Sequence, residues 1–342
     1  MSSDEDFAAT LKRLADGETL GAHAAAQAFA AIMAGRASEA RMAAFLTALT
    51  VRRPTVEEVA GGAEAMREAM RVVRAPANAI DLCGTGGDGK GTLNISTASA
   101  FVVAACGVPV AKHGNRSASS RTGTADVLEA LGVKIGLEPE GAELCLKEAG
   151  LCFMFAPTHH TAMKFVGPVR KELAFRTVFN LLGPICNPAK VKRQLLGVYS
   201  QEWIEPVANV LAMLGAEKAW VVHGSDGLDE LTTTGPTQAA ILEGGVVTRR
   251  TITPEDAGIA RATLDDLLGG DADHNAQAIR DLLGGMKGAF RDVVLLNAAA
   301  ALVIADKAAD LRAGAKLAAA AIDKGVAKTK LELLAAASQK AA

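Results

Sequence analysis

Five glycines fall within the eight residues from Gly84 to Gly91, between a short apolar run, Ala79 to Cys83, and an alanine-rich segment of helical length, Ser96 to Cys106. Glycine at this density costs backbone entropy with no packing return, unless the main chain must take positive φ angles or pass close to something. The pattern reads as strand, glycine loop, helix start. Asn94, Ser96 and Thr97 stand where the helix would begin, and a helix N-terminus offers unpaired N–H groups and a positive dipole end to an anion. An ordinary capped turn would satisfy the same local pattern. The loop lacks the GxxxxGK[ST] spacing of a P-loop and the distal acidic residue of a dinucleotide fold, so a different anion site is expected.

Further loops of similar character follow other predicted strands. Lys112-His113-Gly114-Asn115-Arg116-Ser117-Ala118-Ser119-Ser120 carries two cations, an amide and three hydroxyls directly after a second strand. That composition suits a phosphate better than a core, and the carboxyl ends of strands are where open α/β sheets bind ligands. Thr124 then opens another helix. After a third strand come Pro157-Thr158-His159-His160 and, a little beyond, Arg170. A guanidinium is a planar fork that matches a carboxylate, though a surface ion pair with Glu172 would account for it equally well. Asn180-Leu181-Leu182-Gly183-Pro184 is an apolar turn whose glycine suggests close backbone approach. His223-Gly224-Ser225-Asp226-Gly227-Leu228-Asp229-Glu230 ends in adjacent carboxylates, which could hold Mg²⁺ or simply form an exposed acidic turn.

Around these blocks the chain divides in two. Residues 6 to 73 show only helical periodicity, with Phe29 and Ile32, Met42, Phe45, Leu46 and Leu49, then Val56, Val59, Met66, Met70 and Val73 at spacings of three and four. Thr55-Val56-Glu57-Glu58 has the capping-box pattern, and Gly61-Gly62 inside that helix marks a bend or a close helix contact. From about residue 74 strands alternate with helices. Strands are predicted at 79–83, 108–112, 151–156, 194–199, 218–223 and 238–243, and helices at 96–106, 123–131, 139–149 and 201–214, before a helical tail from about 275 to 338. The expected architecture is a small all-helical domain (1–73), joined by a helical segment near 163–178, and a larger α/β domain (74–342) whose mainly parallel central sheet is flanked by helices.

Composition limits the partners. With 36 Lys and Arg against 38 Asp and Glu, the net charge of −2 argues against nucleic acid or an anionic membrane held by bulk charge. A polyanionic ligand must therefore be held by local groups. The five cysteines lie in apolar contexts without C-x-x-C spacing, which fits reduced, buried thiols and a cytoplasmic protein. The acidic start MSSDEDFAAT is unlike a signal peptide, and no apolar run approaches membrane-spanning length.

GTGGDG, NISTASAF, KHGNRS, the APxxH, AMK and VRKEL block, FNLLGP and DELTTTGPT occur together and in this order, and the chain resembles the anthranilate phosphoribosyltransferase family of tryptophan biosynthesis. The resemblance implies a fold like those of nucleoside phosphorylases and phosphoribosyltransferases. It implies transfer of the 5-phosphoribosyl group from phosphoribosyl pyrophosphate (PRPP) to the amine of anthranilate, with Mg²⁺, two ions per site. By position, Gly84, Gly87, Asp88, Thr92, Asn94, Ile95, Ser96 and Thr97, the run Lys112 to Ser120 (Lys112, His113, Gly114, Asn115, Arg116, Ser117, Ala118, Ser119, Ser120) and Thr124 are similar to the PRPP contacts. Gly84, Asn115, His160, Arg170 and Gly183 are similar to the anthranilate contacts, and Ser96, Asp229 and Glu230 to the magnesium ligands. The resemblance departs at Thr161, where the family has Pro, and at Thr124, where Ser or Ala is common.

The implied chemistry builds positive charge on the sugar and negative charge on the leaving pyrophosphate, which Lys112, Arg116 and loop N–H groups could stabilise without a strong general base. A homodimer through the helical domain is expected, because its helices carry more apolar positions than one layer can bury. A nucleoside phosphorylase using inorganic phosphate and a non-catalytic nucleic-acid-binding relative are the competing readings.

Overall fold

The computed structural model describes residues 3–116 and 122–341, so Ser117, Ala118, Ser119 and Ser120 lie outside the described residues. Four helices come first: α1 (Ser3–Ala15), α2 (Ala22–Met33), α3 (Glu39–Arg52) and α4 (Val56–Ala69). Then follow β1 (Ile80–Gly84), α5 (Ile95–Ala105), β2 (Val110–Gly114), α6 (Thr124–Ala130), α7 (Pro139–Ala149) and β3 (Leu151–Phe155). Three short helices, α8 (Ala156–His159), α9 (Gly167–Leu173) and α10 (Phe179–Ile185), lead to β4 (Arg193–Gly197), α11 (Ile204–Met213), β5 (Lys218–Gly224), β6 (Thr237–Glu243) and β7 (Val246–Ile252). The described chain closes with α12 (Ala272–Leu283), α13 (Ala289–Ile304), α14 (Leu311–Asp323) and α15 (Val326–Lys340).

The capping box that opens α4 is formed: Thr55 Oγ1 accepts from the Glu58 N–H, and the Glu58 carboxylate accepts from the Thr55 N–H. The same carboxylate, fully buried, also accepts from Leu20 N–H at 2.8 Å and pairs with Arg52 at 2.5 Å, so one capping residue ties three segments of the bundle. Gly61 and Gly62 mark a close helix contact. A Cβ on Gly61 would lie 2.2 Å from the Ala22 carbonyl oxygen, and one on Gly62 would lie 2.9 Å from the Phe29 ring. Phe29 in turn meets Phe45 and Phe179 edge-on, at 5.2 and 5.8 Å between centroids, linking the bundle to α10.

Among the described residues the sheet has seven strands in the order β3-β2-β1-β4-β5-β6-β7. β1 to β5 are parallel, β6 pairs antiparallel to β5, and β7 pairs antiparallel to β6. Successive strand residues face opposite cores, as the pleat requires. Leu82, Leu195 and Val222 pack with α5, α7 and the C-terminal helices, whereas Cys83, Leu196 and Val221 pack with α11, α10 and the N-terminal bundle. Val166, Val169 and Val178 join that second core, so the segment after β3 belongs with the helical bundle in packing.

The sequence reading did not anticipate β7. Its residues, VVTRRTI, are mostly exposed and carry Arg249 and Arg250, so no apolar run announces it. It is a solvated edge strand, closed onto β6 by Gly244 and Gly245, both at positive φ. The stretch expected as one helix over 201–214 begins with a 3₁₀ turn at Gln201–Trp203 before α11. No helix among the described residues is long and apolar enough to cross a membrane.

Candidate active site

The chain runs outward from β1 through β2 to β3 and then returns to place β4 on the other side of β1. The crevice above the carboxyl ends of β1 and β4 is therefore a topological switch point, where open α/β sheets accept ligands. Two strand-ending glycines make it accessible. A Cβ on Gly197 would lie 1.5 Å from the Asp229 carbonyl oxygen, and one on Gly84 would lie 2.3 Å from Asp229 Oδ2. The segment between β5 and β6 thus lies directly on the ends of both strands.

That segment is firmly held. Leu228 and Leu231, fully buried, flank the acidic pair, and Asn297 of α13 both accepts from Leu231 N–H (3.1 Å) and donates to its carbonyl (2.8 Å). Asp229 is buried, and its Oδ2 accepts from Gly86 N–H at 2.6 Å. Burial, followed by the charge of Asp88, pushes the Asp229 carboxyl up to about 6. Burial and then the charge of Asp229 push Glu230 up to about 8, against the opposing effects of Lys112 and Ser96. Two carboxylates crowded in this way, with a serine hydroxyl beside them, form a hard oxygen donor set short of positive charge, which fits a magnesium ion. Among the described residues no three His, Cys, Asp or Glu side chains converge to form a complete cage. Magnesium typically takes one or two carboxylates and fills its remaining positions with water and substrate phosphate.

The glycine loop takes the expected form. Gly86, Gly87, Gly89 and Gly91 all have positive φ, between 65 and 73°. The main chain turns back at Asp88, whose carboxylate accepts from Lys90 N–H at 3.1 Å, and re-enters a helix at Ile95. Asn94 occupies the N-cap position of α5, but its side chain does not cap the helix. Ser96 and Thr97 follow in the first turn, and Thr97 Oγ1 bonds to Thr124 Oγ1 at the start of α6, 3.3 Å away. Thr92 pairs in an isolated antiparallel bridge with Leu268, and Ile95 is buried beneath the loop.

Lys112 is buried within β2, paired with Phe153 of β3, so that it lies in the strand and not in the loop expected after it. Its ammonium donates to the Leu82 carbonyl and to Ser96 Oγ at 3.2 Å, so its charge lies under the start of α5 and acts on Glu230. His113 N–H donates to Asp81, a fully buried carboxylate that also accepts from Asn187 Nδ2 at 2.8 Å. Gly114 ends the strand tightly, since a Cβ there would lie 2.9 Å from the Phe153 ring. Arg116 is drawn away from this cluster: it is exposed and pairs with Asp126 at 2.5 Å and Glu129 at 2.7 Å on α6, leaning over the Phe155 ring. Asn115 is exposed, with its Oδ1 accepting from Arg116 N–H at 2.8 Å.

A second group of candidate residues comes from the segment after β3. His160 is buried and uncharged: burial pushes its pKa down to about 4, and neither ring nitrogen has a well-formed partner. Its ring lies 5.0 Å from that of His113, which burial also keeps neutral and which has the Gly183 main chain as a neighbour. A Cβ on Gly183 would meet nothing within 4 Å, so this glycine borders open space. Arg170 on α9 is half-buried, and burial pushes its pKa down. Its Nη2 lies 3.5 Å from Asn180 Oδ1 and its guanidinium 5.6 Å from the Phe179 ring, and among the described residues it has no carboxylate partner. The ion pair with Glu172 that the sequence allowed is absent among the described residues.

Two further residues reach the loop without any signal in the sequence. Arg176 stacks 4.5 Å over Tyr199 and donates to the Gly87 carbonyl. Asn275, from α12, donates to Asn94 Oδ1 at 2.9 Å. Both contacts join distant segments, so no local spacing encodes them.

The arrangement sets oxygen donors and main-chain N–H groups at the ends of β1 and β4, and an arginine and neutral histidines on the segments around them. Comparison with known proteins bears on that chemistry. Residues 8–70 match the helical bundle domain of a glycosyl transferase family, and residues 76–328 match its a/b domain. The anthranilate phosphoribosyltransferase of Parvibaculum lavamentivorans is 57% identical over 97% of this chain and 98% of its own length. That of Rhodopseudomonas palustris strain HaA2 is 56% identical at the same coverage, 97% and 98%. Among solved structures, the Thermus thermophilus enzyme of the same name superposes with a TM-score of 0.92 at 45% identity, covering 96% of this chain and 99% of that one. The Saccharomyces cerevisiae enzyme in complex with PRPP and Mg superposes with a TM-score of 0.90 at 25% identity, covering 98% of each chain.

Proposed function

The chain belongs to the anthranilate phosphoribosyltransferase family, and from that premise we infer how its own residues carry out the reaction. It transfers the 5-phosphoribosyl group of PRPP to the amine of anthranilate, giving N-(5-phosphoribosyl)anthranilate and pyrophosphate, a step of L-tryptophan biosynthesis. Magnesium is used. The assignment of sides rests on the contrast between two groups of residues: crowded carboxylates and helix N–H groups at the β1–β4 switch point, and, on the segment after β3, a neutral histidine and a half-buried arginine with no carboxylate partner among the described residues.

In this reading PRPP lies on Gly84–Thr97. Its pyrophosphate receives N–H groups from the positive-φ loop and the first turn of α5, and the positive dipole end of that helix favours the charge that develops as the bond to ribose C1 breaks. Ser96, Asp229 and Glu230 would hold magnesium, with two ions per site, and the bound metal would neutralise the departing pyrophosphate. Lys112 contributes its charge from beneath, through Ser96. Arg116 would serve the ligand only after leaving Asp126 and Glu129. On the other side Arg170 fixes the anthranilate carboxylate, with His160 and Gly183 bordering the ring and Asn115 completing the site. The aromatic amine is not protonated at neutral pH, so attack on C1 needs orientation more than a base, and the neutral histidines are consistent with that.

The domain boundary falls at 73/74 in this reading, with the segment near 163–178 completing the helical side. A homodimer through the helical domain and a cytoplasmic location complete the proposal. Val51 on α3, 81% exposed, is an apolar position that a partner would cover. The function is tested by following anthranilate fluorescence with PRPP and Mg²⁺ while measuring pyrophosphate. Equimolar loss of anthranilate and release of pyrophosphate is expected. Phosphate-dependent cleavage of a nucleoside, with anthranilate untouched, would favour the phosphorylase reading.

A further inference from the structure

The N-cap residue of α5 does not cap its helix. An asparagine at this position ordinarily turns its side-chain oxygen onto the N–H of the second or third helical residue, here Ser96 or Thr97. In this fold Asn94 Oδ1 instead accepts from Asn275 Nδ2 at 2.9 Å. The orientation of both amides is fixed by a main-chain group. Gly270 N–H can only donate, and it donates to Asn275 Oδ1 at 2.8 Å, which turns the Asn275 amino group toward Asn94. Asn94 must then offer its oxygen to Asn275, leaving its own Nδ2 without a protein partner among the described residues. Asn275 is 1% exposed, so it cannot exchange this partner for water.

The surrounding segment is built to bring Asn275 to this point. Leu93 N–H donates to the Leu267 carbonyl and Gly269 N–H to the Gly91 carbonyl, pairing residues 267–269 with the return of the glycine loop. Gly269 permits the approach: a Cβ there would lie 2.8 Å from the Thr92 oxygen and 2.9 Å from Asn275 Oδ1. Asp271 caps α12 by accepting from His274 N–H at 2.9 Å, which sets the first turn that carries Asn275.

We propose that Asn275 is a positioning residue for PRPP: by holding the Asn94 oxygen it keeps the first-turn N–H groups of α5 uncapped for the pyrophosphate, and it presents Asn94 Nδ2 as a further donor. This rests on the placement of PRPP at Gly84–Thr97. Without Asn275, Asn94 would close onto Ser96 or Thr97 N–H and compete with the ligand for the donors it needs.

The test uses the full chain in steady-state assays and PRPP·Mg²⁺ titration calorimetry. Asn275→Asp keeps shape and still accepts from Gly270 N–H, but its ionised carboxylate can no longer donate to Asn94. PRPP affinity should fall about 10- to 100-fold, the range for losing a hydrogen bond to a charged ligand, while the KM for anthranilate stays within about twofold. Because a buried carboxylate can itself destabilise the fold, Asn275→Ala is measured beside it, with melting temperatures for both; it should show a smaller loss in the same direction. In a double-mutant cycle with Asn94→Ala, either Asn275 change should add nothing further to the loss of PRPP affinity. Additive losses, equal losses for both substrates, or unchanged PRPP affinity in a folded Asn275 variant would each overturn the proposal. Unchanged PRPP affinity in Asn94→Ala alone would overturn the placement of PRPP, and the role of Asn275 with it.

Discussion

Arg170 is where the account of substrate recognition is most exposed to experiment. Its guanidinium is half-buried, 3.5 Å from the Asn180 amide oxygen and 5.6 Å from the Phe179 ring, with no carboxylate partner among the described residues to offset the loss of water. A bound carboxylate would meet a fork already in place, so little side-chain entropy is lost on binding. A hydrogen bond to a charged group contributes about 1.5–3 kcal/mol, and each 1.4 kcal/mol is about tenfold, so Arg170→Ala should lower kcat/KM for anthranilate by roughly 10- to 150-fold. Arg170→Lys keeps the charge but not the fork and should fall between the two. The fold should survive, because the contact with Phe179 contributes about 0.5–1 kcal/mol. The assay varies anthranilate at saturating PRPP and then PRPP at saturating anthranilate, with circular dichroism on each variant. Only the anthranilate parameters should move. Equal losses for both substrates would show that Arg170 organises the cleft or contacts PRPP, and intact anthranilate kinetics would remove it from recognition altogether.

Other consequences can be checked independently. Glu230 has a folded pKa near 8 against an unfolded carboxyl near 4.5, so between these values the folded state holds an extra proton and stability declines as pH rises, levelling above 8. Chemical denaturation of the ligand-free protein should show a loss of about 1–2 kcal/mol from pH 6.5 to 8, a range where the buried histidines are already neutral, and Glu230→Gln should flatten it. Replacing Asp229 and Glu230 together by Ala should raise the Mg²⁺ concentration for half-maximal activity, and an unchanged magnesium response would exclude both as ligands. Gly197→Ala should cost about 3 kcal/mol or more, because the new methyl would meet main chain at 1.5 Å, whereas Gly84→Ala displaces the Asp229 side chain and should impair PRPP turnover more than folding. Arg176→Ala should raise the KM for PRPP several-fold by releasing the Gly87 peptide and should not be rescued by Lys, which lacks the planar face that stacks on Tyr199.

The glycine loop was legible because φ angles near 70° are a local demand that only glycine meets cheaply, and its four positive-φ positions are the ones the sequence crowds together. The strands that carry the site were legible from the short apolar stretches within them, Ile80, Leu82 and Cys83 in β1 and Leu195 and Leu196 in β4, which are buried between helices on both faces. β7 was not, since Thr248, Arg249 and Arg250 face solvent on an edge. Asp229 and Glu230 could be read as an acidic turn after a strand, but their seat over β1 and β4 follows from Gly84 and Gly197 having no side chain, which is a fact of the assembled sheet. The ordinary capped turn that the sequence also allowed at Asn94 does not form, for a tertiary reason: the competing donor on Asn275, 181 positions away. The ion pairs of Arg116 with Asp126 and Glu129 were not legible, because they depend on the pitch of α6 and not on local spacing.

The central claim is that PRPP and anthranilate meet above the β1–β4 switch point, from opposite sides. A crystal structure of this protein with PRPP, Mg²⁺ and anthranilate or a slow analogue tests it directly. The pyrophosphate should lie against Gly84–Thr97 with metal density on Asp229 and Glu230, and the aromatic carboxylate should engage Arg170 beside His160. PRPP bound away from the glycine loop, or anthranilate on the sheet side with Arg170 unengaged, would contradict it.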